Sequence, residues 1–489
     1  MHIISDNDLF QRLVFDNPWW KFTPETEIRF RHPPKRPFFY SFRTRVLGGA
    51  ERIIVLAGPL GAGKTVMVHQ MIAGLIEGGV SPQAVFYCNM TVPIYTAADI
   101  TALFEMFCRR YHHDETAEIY VFYDEIQYVS DWRDVVMRLA ELQPRARIVV
   151  TMSSAAPALV TGAVSDDGNV ATVVLPPLTF HEFLRFRSSE MSSKFSSTTH
   201  SEISGYLETL LRSQSGDKSI TIHAWALPTL NAEFQRYVNF GGFIEGILGR
   251  KEEAAAFTRS APGGVADRIM HKDLSSIFGI NDTQELNKLF NILAFNTARQ
   301  VTMESLAKAA GIAKNTLRKY LDYLEAAFLI RRVARVDKNA LRFQRQVAFK
   351  IYLTTPSLYA ALFAPLPATD AQFQLLAETA LVAQWLGAAE VEKLAYASWQ
   401  GGCIDLIALD GETDRPTRVY KMDWQDAYGR EGVPAELVRF IETTNPAAKP
   451  YVLTSATTHQ ASMGGTMITM IPVALYAYCV GRDLVQGTT

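Results

Sequence analysis

Short apolar runs alternate with helical patterns over residues 51–186. The runs occupy residues 53–57, 84–88, 119–123 and 147–151, and longer stretches with helical spacing separate them. Runs of this length that are rich in β-branched and aromatic residues are typical of buried strands. The alternation therefore predicts an α/β layered domain with a mostly parallel sheet.

The pattern changes twice beyond this region. A Ser/Thr-rich stretch at residues 188–201 predicts a linker or flexible loop, and helical spacing returns from about residue 203. Within residues 284–335, two apolar helical faces flank Gly311, which predicts a helix, a turn and a second helix. Residues 341–489 return to strands, with a helix expected over residues 374–386.

Composition limits the class of protein. The chain has 489 residues, 48% hydrophobic and 20% charged, with a formal net charge of −2. This is ordinary globular composition, and any contact with nucleic acid must be a local patch because there is no global basic field. The four cysteines lack metal-ligand spacing, and no apolar run reaches membrane-spanning length. These features predict a cytoplasmic protein with no membrane association.

A complete phosphate-binding loop follows the first apolar run. Residues 58–65 match G-x-x-x-x-G-K-[ST] between a predicted strand and a predicted helix. Lys64 is expected to bridge the β- and γ-phosphates of ATP, and the Thr65 hydroxyl to bind Mg²⁺. The predicted nucleotide-binding residues of the loop are Gly58, Pro59, Leu60, Gly61, Ala62, Gly63, Lys64 and Thr65.

Acidic residues end the third apolar run. Asp124 is predicted to hold Mg²⁺, and Glu125 to orient and deprotonate the attacking water, so Glu125 and Lys64 are the predicted catalytic residues. Ser153 or Ser154, after the fourth run, is predicted to contact the γ-phosphate. An ordinary helix N-cap is an equal alternative for these two serines.

The predicted second helix of the helix-turn-helix is basic at its start. A recognition helix would place such residues in a major groove, and three arginines (Arg331, Arg332 and Arg335) follow where a wing could touch phosphates. The alternative is a winged helix used only for packing or protein contacts. The possible DNA-contacting residues are Lys314, Asn315, Arg318 and Lys319.

With these motifs, nearly the whole chain resembles a family of prokaryotic AAA-type ATP-binding proteins. Its members join a P-loop ATPase to a winged helix and a C-terminal domain of unknown function. Besides the phosphate loop, the resemblance rests on several sequence phrases, which lie at residues 17–20, 124–132, 175–180, 237–242, 314–316, 323–330 and 378–380.

The resemblance implies an α/β fold class in three parts. A P-loop AAA-type core with a parallel sheet and an additional strand between the nucleotide motifs precedes a helical and winged-helix module. A C-terminal α/β domain resembling a restriction endonuclease follows. The implied domains are an N-terminal extension (1–50), the ATPase core (51–187), a linker and helical region (188–283), the winged helix-turn-helix (284–340) and the endonuclease-like domain (341–489).

The sequence departs from this family in two places. Glu378, Asp405 and Lys421 match the nuclease pattern, but Val419 and Cys403 replace two of its acidic residues. Two carboxylates make a poor Mg²⁺ site, which predicts a degenerate domain that does not cut DNA. Asn169 stands where relatives tend to carry an arginine that could act on a neighbouring nucleotide, with Arg145, Arg147 and Arg185 as candidate substitutes.

The leading prediction is a Mg²⁺-dependent ATPase whose nucleotide state repositions the winged-helix and nuclease-like modules. The expected partner is double-stranded DNA or a protein, with self-association stabilised by ATP. The alternatives are a non-hydrolysing nucleotide switch, a transcriptional regulator and an ATP-regulated metal-dependent nuclease.

Overall fold

The structure is a computed structural model of the chain. It describes residues 5–21, 34–48, 50–96, 98–153, 169–190, 226–243, 283–343, 347–385, 392–428 and 432–486. Most of the predicted linker, as well as Ser154 and Gly168, lies outside these ranges. The first three residues of that predicted linker, 188–190, are helical, and they end a helix that begins at Phe180.

The first sheet has five parallel strands in the order β2-β3-β4-β1-β5. This confirms the parallel sheet predicted from the alternating pattern. Strand β4 lies between β1 and β3, the two strands that end in nucleotide motifs, as the resemblance implied. The strands are β1 (Ile53–Ala57), β2 (Val85–Asn89), β3 (Tyr120–Asp124), β4 (Arg147–Met152) and β5 (Val170–Val174).

Helices connect these strands, and an N-terminal segment packs on the sheet edge. The Asn17 side chain pairs with both backbone groups of Tyr87, and the Trp19 and Trp20 indoles donate to the Val85 carbonyl. The extension therefore completes the edge of β2 and its core. The helices are α1 (Asp6–Asp16), α2 (Phe38–Gly48), α3 (Lys64–Glu77), α4 (Pro93–Thr96), α5 (Ile100–Tyr111) and α6 (Trp132–Leu142).

The second sheet has nine strands in the order β13-β14-β12-β11-β10-β9-β7-β8-β6. Strand β8 pairs with β6 and β7, and β7 pairs with β9. The predicted boundary at residues 340/341 therefore falls within one continuous sheet. The strands are β6 (Gln300–Thr302), β7 (Ile330–Val336), β8 (Ala348–Leu353), β9 (Glu392–Trp399), β10 (Gly402–Asp410), β11 (Pro416–Asp423), β12 (Lys449–Thr454), β13 (His459–Met463) and β14 (Thr466–Pro472).

Two hydrophobic cores meet at the segment Pro176–Pro177. Leu175 packs in the core of the first sheet, whereas Leu178 packs in the core that the later helices share with the second sheet. These helices are α7 (Phe180–Glu190), α8 (Ala226–Phe240), α9 (Thr283–Phe295), α10 (Met303–Ala310), α11 (Lys314–Ala326), α12 (Ser357–Leu362), α13 (Phe373–Gln384) and α15 (Val473–Gln486). Helix α14 (Ala435–Thr444) packs in a third core with strands of the second sheet. Among the described residues, no helix combines the length and apolarity needed to cross a bilayer.

Candidate nucleotide site

The phosphate loop lies at the carboxyl end of β1 and leads into α3. Gly61 and Gly63 have φ values of 81° and 94°, in the left-handed region that glycine adopts without steric cost. Helix α3 begins at Lys64, and no side chain caps its first turn. Its first N–H groups and its positive dipole end are therefore directed toward an anion site.

Asp124 is the most heavily bonded carboxylate of this site. It is fully buried at the end of β3, where its Oδ2 accepts hydrogen bonds from the Thr65 hydroxyl at 2.8 Å and the Tyr87 hydroxyl at 3.0 Å. The Thr151 hydroxyl donates to its Oδ1. Burial, and then the charge of Glu125, raise the pKa of Asp124, while these hydrogen bonds oppose the rise.

Glu125 adopts a left-handed backbone conformation, with φ 56° and ψ 51°. This conformation is strained for a residue with a side chain, and such strain concentrates at functional sites. The Glu125 N–H donates to the Thr151 hydroxyl at 2.9 Å, and Ser153 and Gln127 both donate to its Oε2. Its Oε1 lies 3.8 Å from Lys64 Nζ, so the two predicted catalytic groups are adjacent.

The structure thus brings Lys64, Thr65, Asp124, Glu125 and Ser153 together at one edge of the sheet. Lys64 Nζ also donates to the carbonyl oxygens of Gly58 and Pro59, at 2.9 and 3.0 Å. The donor set fits the expected ligands. A carboxylate and a hydroxyl suit Mg²⁺, while a buried ammonium and free helix N–H groups suit phosphate.

Sequence reasoning missed three side chains that position these groups. Thr151 joins Asp124 to Glu125, Tyr87 supports Asp124 from β2, and Gln127 bonds to both Glu125 and Ser153, the latter at 2.9 Å. The only available signal was position, because Thr151 and Tyr87 lie at or near the carboxyl ends of neighbouring parallel strands.

The predicted DNA-contacting residues at the start of α11, three basic and one an uncharged amide, are all exposed: Lys314, Asn315, Arg318 and Lys319. Gly311 ends α10 with φ 78°, and α11 follows after the predicted turn. The following arginines differ from the expectation for a phosphate-binding wing. Arg332 pairs with Asp322 and Glu325, while the side chains of Arg331 and Arg335 donate to the carbonyls of Trp385 and Ser398. All three bind within the fold because β7 continues into the second sheet.

The three nuclease-like residues lie in one cluster together with a lysine that sequence reasoning missed. Lys350 Nζ donates to Glu378 Oε1 at 2.8 Å and to the Asp405 carbonyl at 3.0 Å. Lys421 Nζ lies 3.7 Å from the Asp405 carboxylate and donates to Cys403 Sγ at 3.1 Å. Among the described residues, no group of three or more His, Cys, Asp or Glu side chains could hold a metal ion.

The position of the missing arginine lies at the opposite edge of the first sheet. The Asn169 carbonyl accepts hydrogen bonds from the N–H groups of Arg52 and Ile53, at the amino end of β1. Arg147 begins the neighbouring β4, and Arg145 pairs with Glu118. Within one chain these residues therefore lie at the amino ends of the strands, whereas the phosphate loop lies at the carboxyl ends.

Two family models match the chain. Residues 50–184 match the model described as AAA domain, and residues 231–370 match Domain of unknown function (DUF8612). The first match covers the whole five-stranded sheet and its phosphate loop. The N-terminal α/β unit is accordingly an AAA-type P-loop domain.

The chain is also similar to proteins without an assigned function. An uncharacterized protein of Haemophilus influenzae is 23% identical over 58% of this chain and 63% of its own length. One of Methanocaldococcus jannaschii is 26% identical over 43% of this chain and 42% of its own length. The chain thus spans less than two thirds of either relative. The solved structure of the Walker-type ATPase of Pyrococcus abyssi is 12% identical, with a TM-score of 0.34, over 70% of this chain and 99% of its own.

Proposed function

We propose that the chain is a Mg²⁺-dependent ATPase whose nucleotide state repositions the winged-helix and nuclease-like modules. The observation that carries this proposal is the contact of Thr65 with Asp124 at 2.8 Å, with Glu125 beside Lys64. A hydroxyl and a carboxylate that already meet at the helix start could hold an ion that offsets the charge of the phosphates. The AAA-type domain supports nucleotide binding independently.

The residues divide the chemistry between them. Thr65 and Asp124 would hold Mg²⁺, which when bound offsets the negative charge of the β- and γ-phosphates. Lys64 neutralises phosphate charge from the other side, and the α3 N–H groups orient the phosphate chain. Asp124 must be ionised for this role, so its raised pKa makes metal binding weaken in acid.

Glu125 would act as the base. A water oxygen forms a bond to the γ-phosphorus while the bond from that phosphorus to the β,γ-bridging oxygen breaks. Glu125 accepts the water proton, and ADP and phosphate result. The hydrogen bonds from Ser153 and Gln127 fix the Glu125 carboxylate. If the Ser153 hydroxyl donated to the γ-phosphate instead, Glu125 Oε2 would lose one of its two donors and could accept the water proton.

Binding and turnover of ATP by a lysine variant test this site. Lys64→Ala should weaken ATP binding and abolish phosphate release, because the buried ammonium faces the loop. Lys308→Ala is the matched control, since Lys308 is exposed on α10. Equal ATP affinity in the two variants would refute the assignment of the phosphate loop.

We infer a DNA-binding role for the start of α11. Its four exposed polar and basic side chains follow a turn that places them at the beginning of a helix. Arg318→Ala should weaken binding to double-stranded DNA and lower its salt dependence, whereas Lys338→Ala, in the turn after β7, should not. Fluorescence anisotropy over a range of salt measures both; an unchanged Arg318→Ala would favour packing or a protein partner.

The nuclease-like cluster is proposed to be inactive. The Lys350 ammonium already neutralises Glu378, so one of the two carboxylates is engaged by a cation of the protein itself. Nicking of supercoiled plasmid with Mg²⁺ or Mn²⁺ tests this, and cutting lost in Asp405→Asn would establish the nuclease alternative.

Two further expectations remain proposals. ATP should stabilise self-association, because nucleotide ATPases of this general type often work as rings or dimers; an unchanged mass by light scattering with ATP and Mg²⁺ would count against it. A cytoplasmic location is also proposed from the scattered cysteines, which are all free.

A further inference from the structure

Arg36 is buried and uses every N–H group of its guanidinium. Nη1 donates to the Ala62 carbonyl at 2.8 Å and to the Pro176 carbonyl at 2.9 Å. Nη2 donates to the Pro177 carbonyl at 3.4 Å, and Nε and Nη2 each donate to the Glu182 carboxylate at 2.8 Å. A guanidinium has five donors, so all five have a partner.

The contact with Ala62 bears directly on the phosphate loop. The Ala62 carbonyl and the Gly63 N–H belong to one planar trans peptide unit, so they point in opposite directions. By holding the carbonyl, Arg36 fixes the direction of the Gly63 N–H, one of the donors that a phosphate would meet. A positive charge on the carbonyl side also polarises that N–H toward the anion.

The remaining partners of Arg36 form the connection between the two cores. Pro176 and Pro177 separate Leu175 of the first core from Leu178 of the second, and Glu182 lies in the first turn of α7. The other end of the loop touches the same segment, because a Cβ at Gly58 would lie 2.2 Å from the Leu175 carbonyl oxygen. The loop is therefore held against this connection at both ends.

Helix α7 is in turn fixed to the C-terminal unit. The Phe180 N–H donates to Gln384 Oε1 of α13 at 3.1 Å. Gly481 of α15 lies so close that its Cβ would be 2.9 Å from Thr179 Cβ. Leu60 of the phosphate loop also packs against this second core. A continuous set of contacts thus runs from the loop to α15.

The ion pair within this connection is almost completely buried. The Arg36 and Glu182 side chains are 2% and 0% exposed, and Glu182 also accepts the N–H of Thr179 at 3.0 Å. In such surroundings the charges are weakly screened, and removing one leaves the other uncompensated. The pair therefore moves with both the loop and α7.

We propose that Arg36 is a positioning residue for the phosphate loop and that its ion pair with Glu182 transmits nucleotide occupancy to α7 and the C-terminal unit. This rests on the nucleotide binding proposed above. Occupancy that turns the Gly63 peptide must displace Arg36 or be resisted by it, and either response reaches α7 through Glu182.

Hydrogen exchange of the full chain, with and without Mg²⁺ and a slowly hydrolysed ATP analogue, tests the proposal. In the wild type, nucleotide should slow exchange in both α3 and α15. Glu182→Gln should keep the change in α3, lose the change in α15 and bind the analogue about tenfold more weakly, since it leaves the Arg36 charge uncompensated and offers one acceptor oxygen where the carboxylate offered two. Glu325→Gln is the control, because Glu325 is also an arginine-bound carboxylate but lies in α11.

The outcomes separate the two levels of the account. Binding with a change in α3 but none in α15 of the wild type overturns the transmission alone, and so does an α15 response that survives in Glu182→Gln. No binding by the wild type overturns the proposed function as well. Should Glu182→Gln not fold, Arg36→Lys takes its place: it keeps the positive charge but offers three donors, so it should keep the change in α3 and weaken the change in α15, and an unaltered α15 response would overturn the proposal.

Discussion

Replacing Thr151 by valine removes one hydroxyl and keeps the shape of the side chain. In the structure this fully buried hydroxyl donates to Asp124 and accepts the Glu125 N–H at 2.9 Å. A hydrogen bond to a charged group contributes about 1.5–3 kcal/mol and one to a backbone N–H about 1 kcal/mol. We therefore expect Thr151→Val to lower the free energy of unfolding by about 2.5–4 kcal/mol.

The same substitution should impair catalysis beyond its effect on stability. It removes a bond that favours the ionised form of Asp124, and it releases the strained Glu125 backbone that aims the base. A misplaced base typically lowers kcat/KM on the order of 100-fold. The variant is measured by phosphate release at a temperature where it remains folded.

Thr151→Ser provides the matched control, because it keeps the hydroxyl and loses one methyl group, worth about 1 kcal/mol. Urea unfolding and phosphate release are compared for the two variants. If Thr151→Val and Thr151→Ser have the same free energy of unfolding and the same kcat/KM, the hydroxyl does not organise the site and this reasoning is refuted.

Three other expectations follow from particular contacts. The Mg²⁺ concentration for half-maximal turnover should rise as the pH falls, beginning at a higher pH than for an ordinary aspartate, because Asp124 has a raised pKa and binds the ion only when ionised; a pH-independent requirement would contradict this. Asn17→Ala should destabilise the AAA-type domain by about 2–4 kcal/mol in urea unfolding, since both backbone groups of Tyr87 lose a partner, whereas Asn7→Ala, at an exposed position of α1, should leave the unfolding free energy nearly unchanged. Gly481→Ala should lower the thermal stability of the protein, because the new Cβ would lie 2.9 Å from Thr179 Cβ, an atom that cannot move without its backbone; an unchanged melting temperature would contradict a rigid contact between Thr179 and α15.

The nucleotide site was largely predictable from local sequence. The loop, Asp124 and Glu125 each sit directly after an apolar run, and the carboxyl ends of parallel strands meet at one edge of a sheet. The parallel sheet therefore brings these residues together, and no motif that links distant parts of the sequence is needed to predict it.

The supporting residues were not predictable in this way. Arg36 reaches Glu182 across 146 positions of the chain, and Lys350 reaches Glu378 from β8 of the second sheet. Neither pair has a fixed spacing or motif, because packing decides which distant side chains meet. The continuous second sheet was missed for the same reason, since β7 and β9 are neighbours in the sheet although β8, α12 and α13 separate them along the chain.

Phosphate release from ATP by the wild type and by Glu125→Gln, each with and without double-stranded DNA, tests the central claim most directly. The account predicts turnover by the wild type, stimulation by DNA, and retained ATP binding without turnover in Glu125→Gln. Tight binding of ATP by the wild type with no phosphate release would contradict the ATPase and identify the chain as a nucleotide-dependent switch.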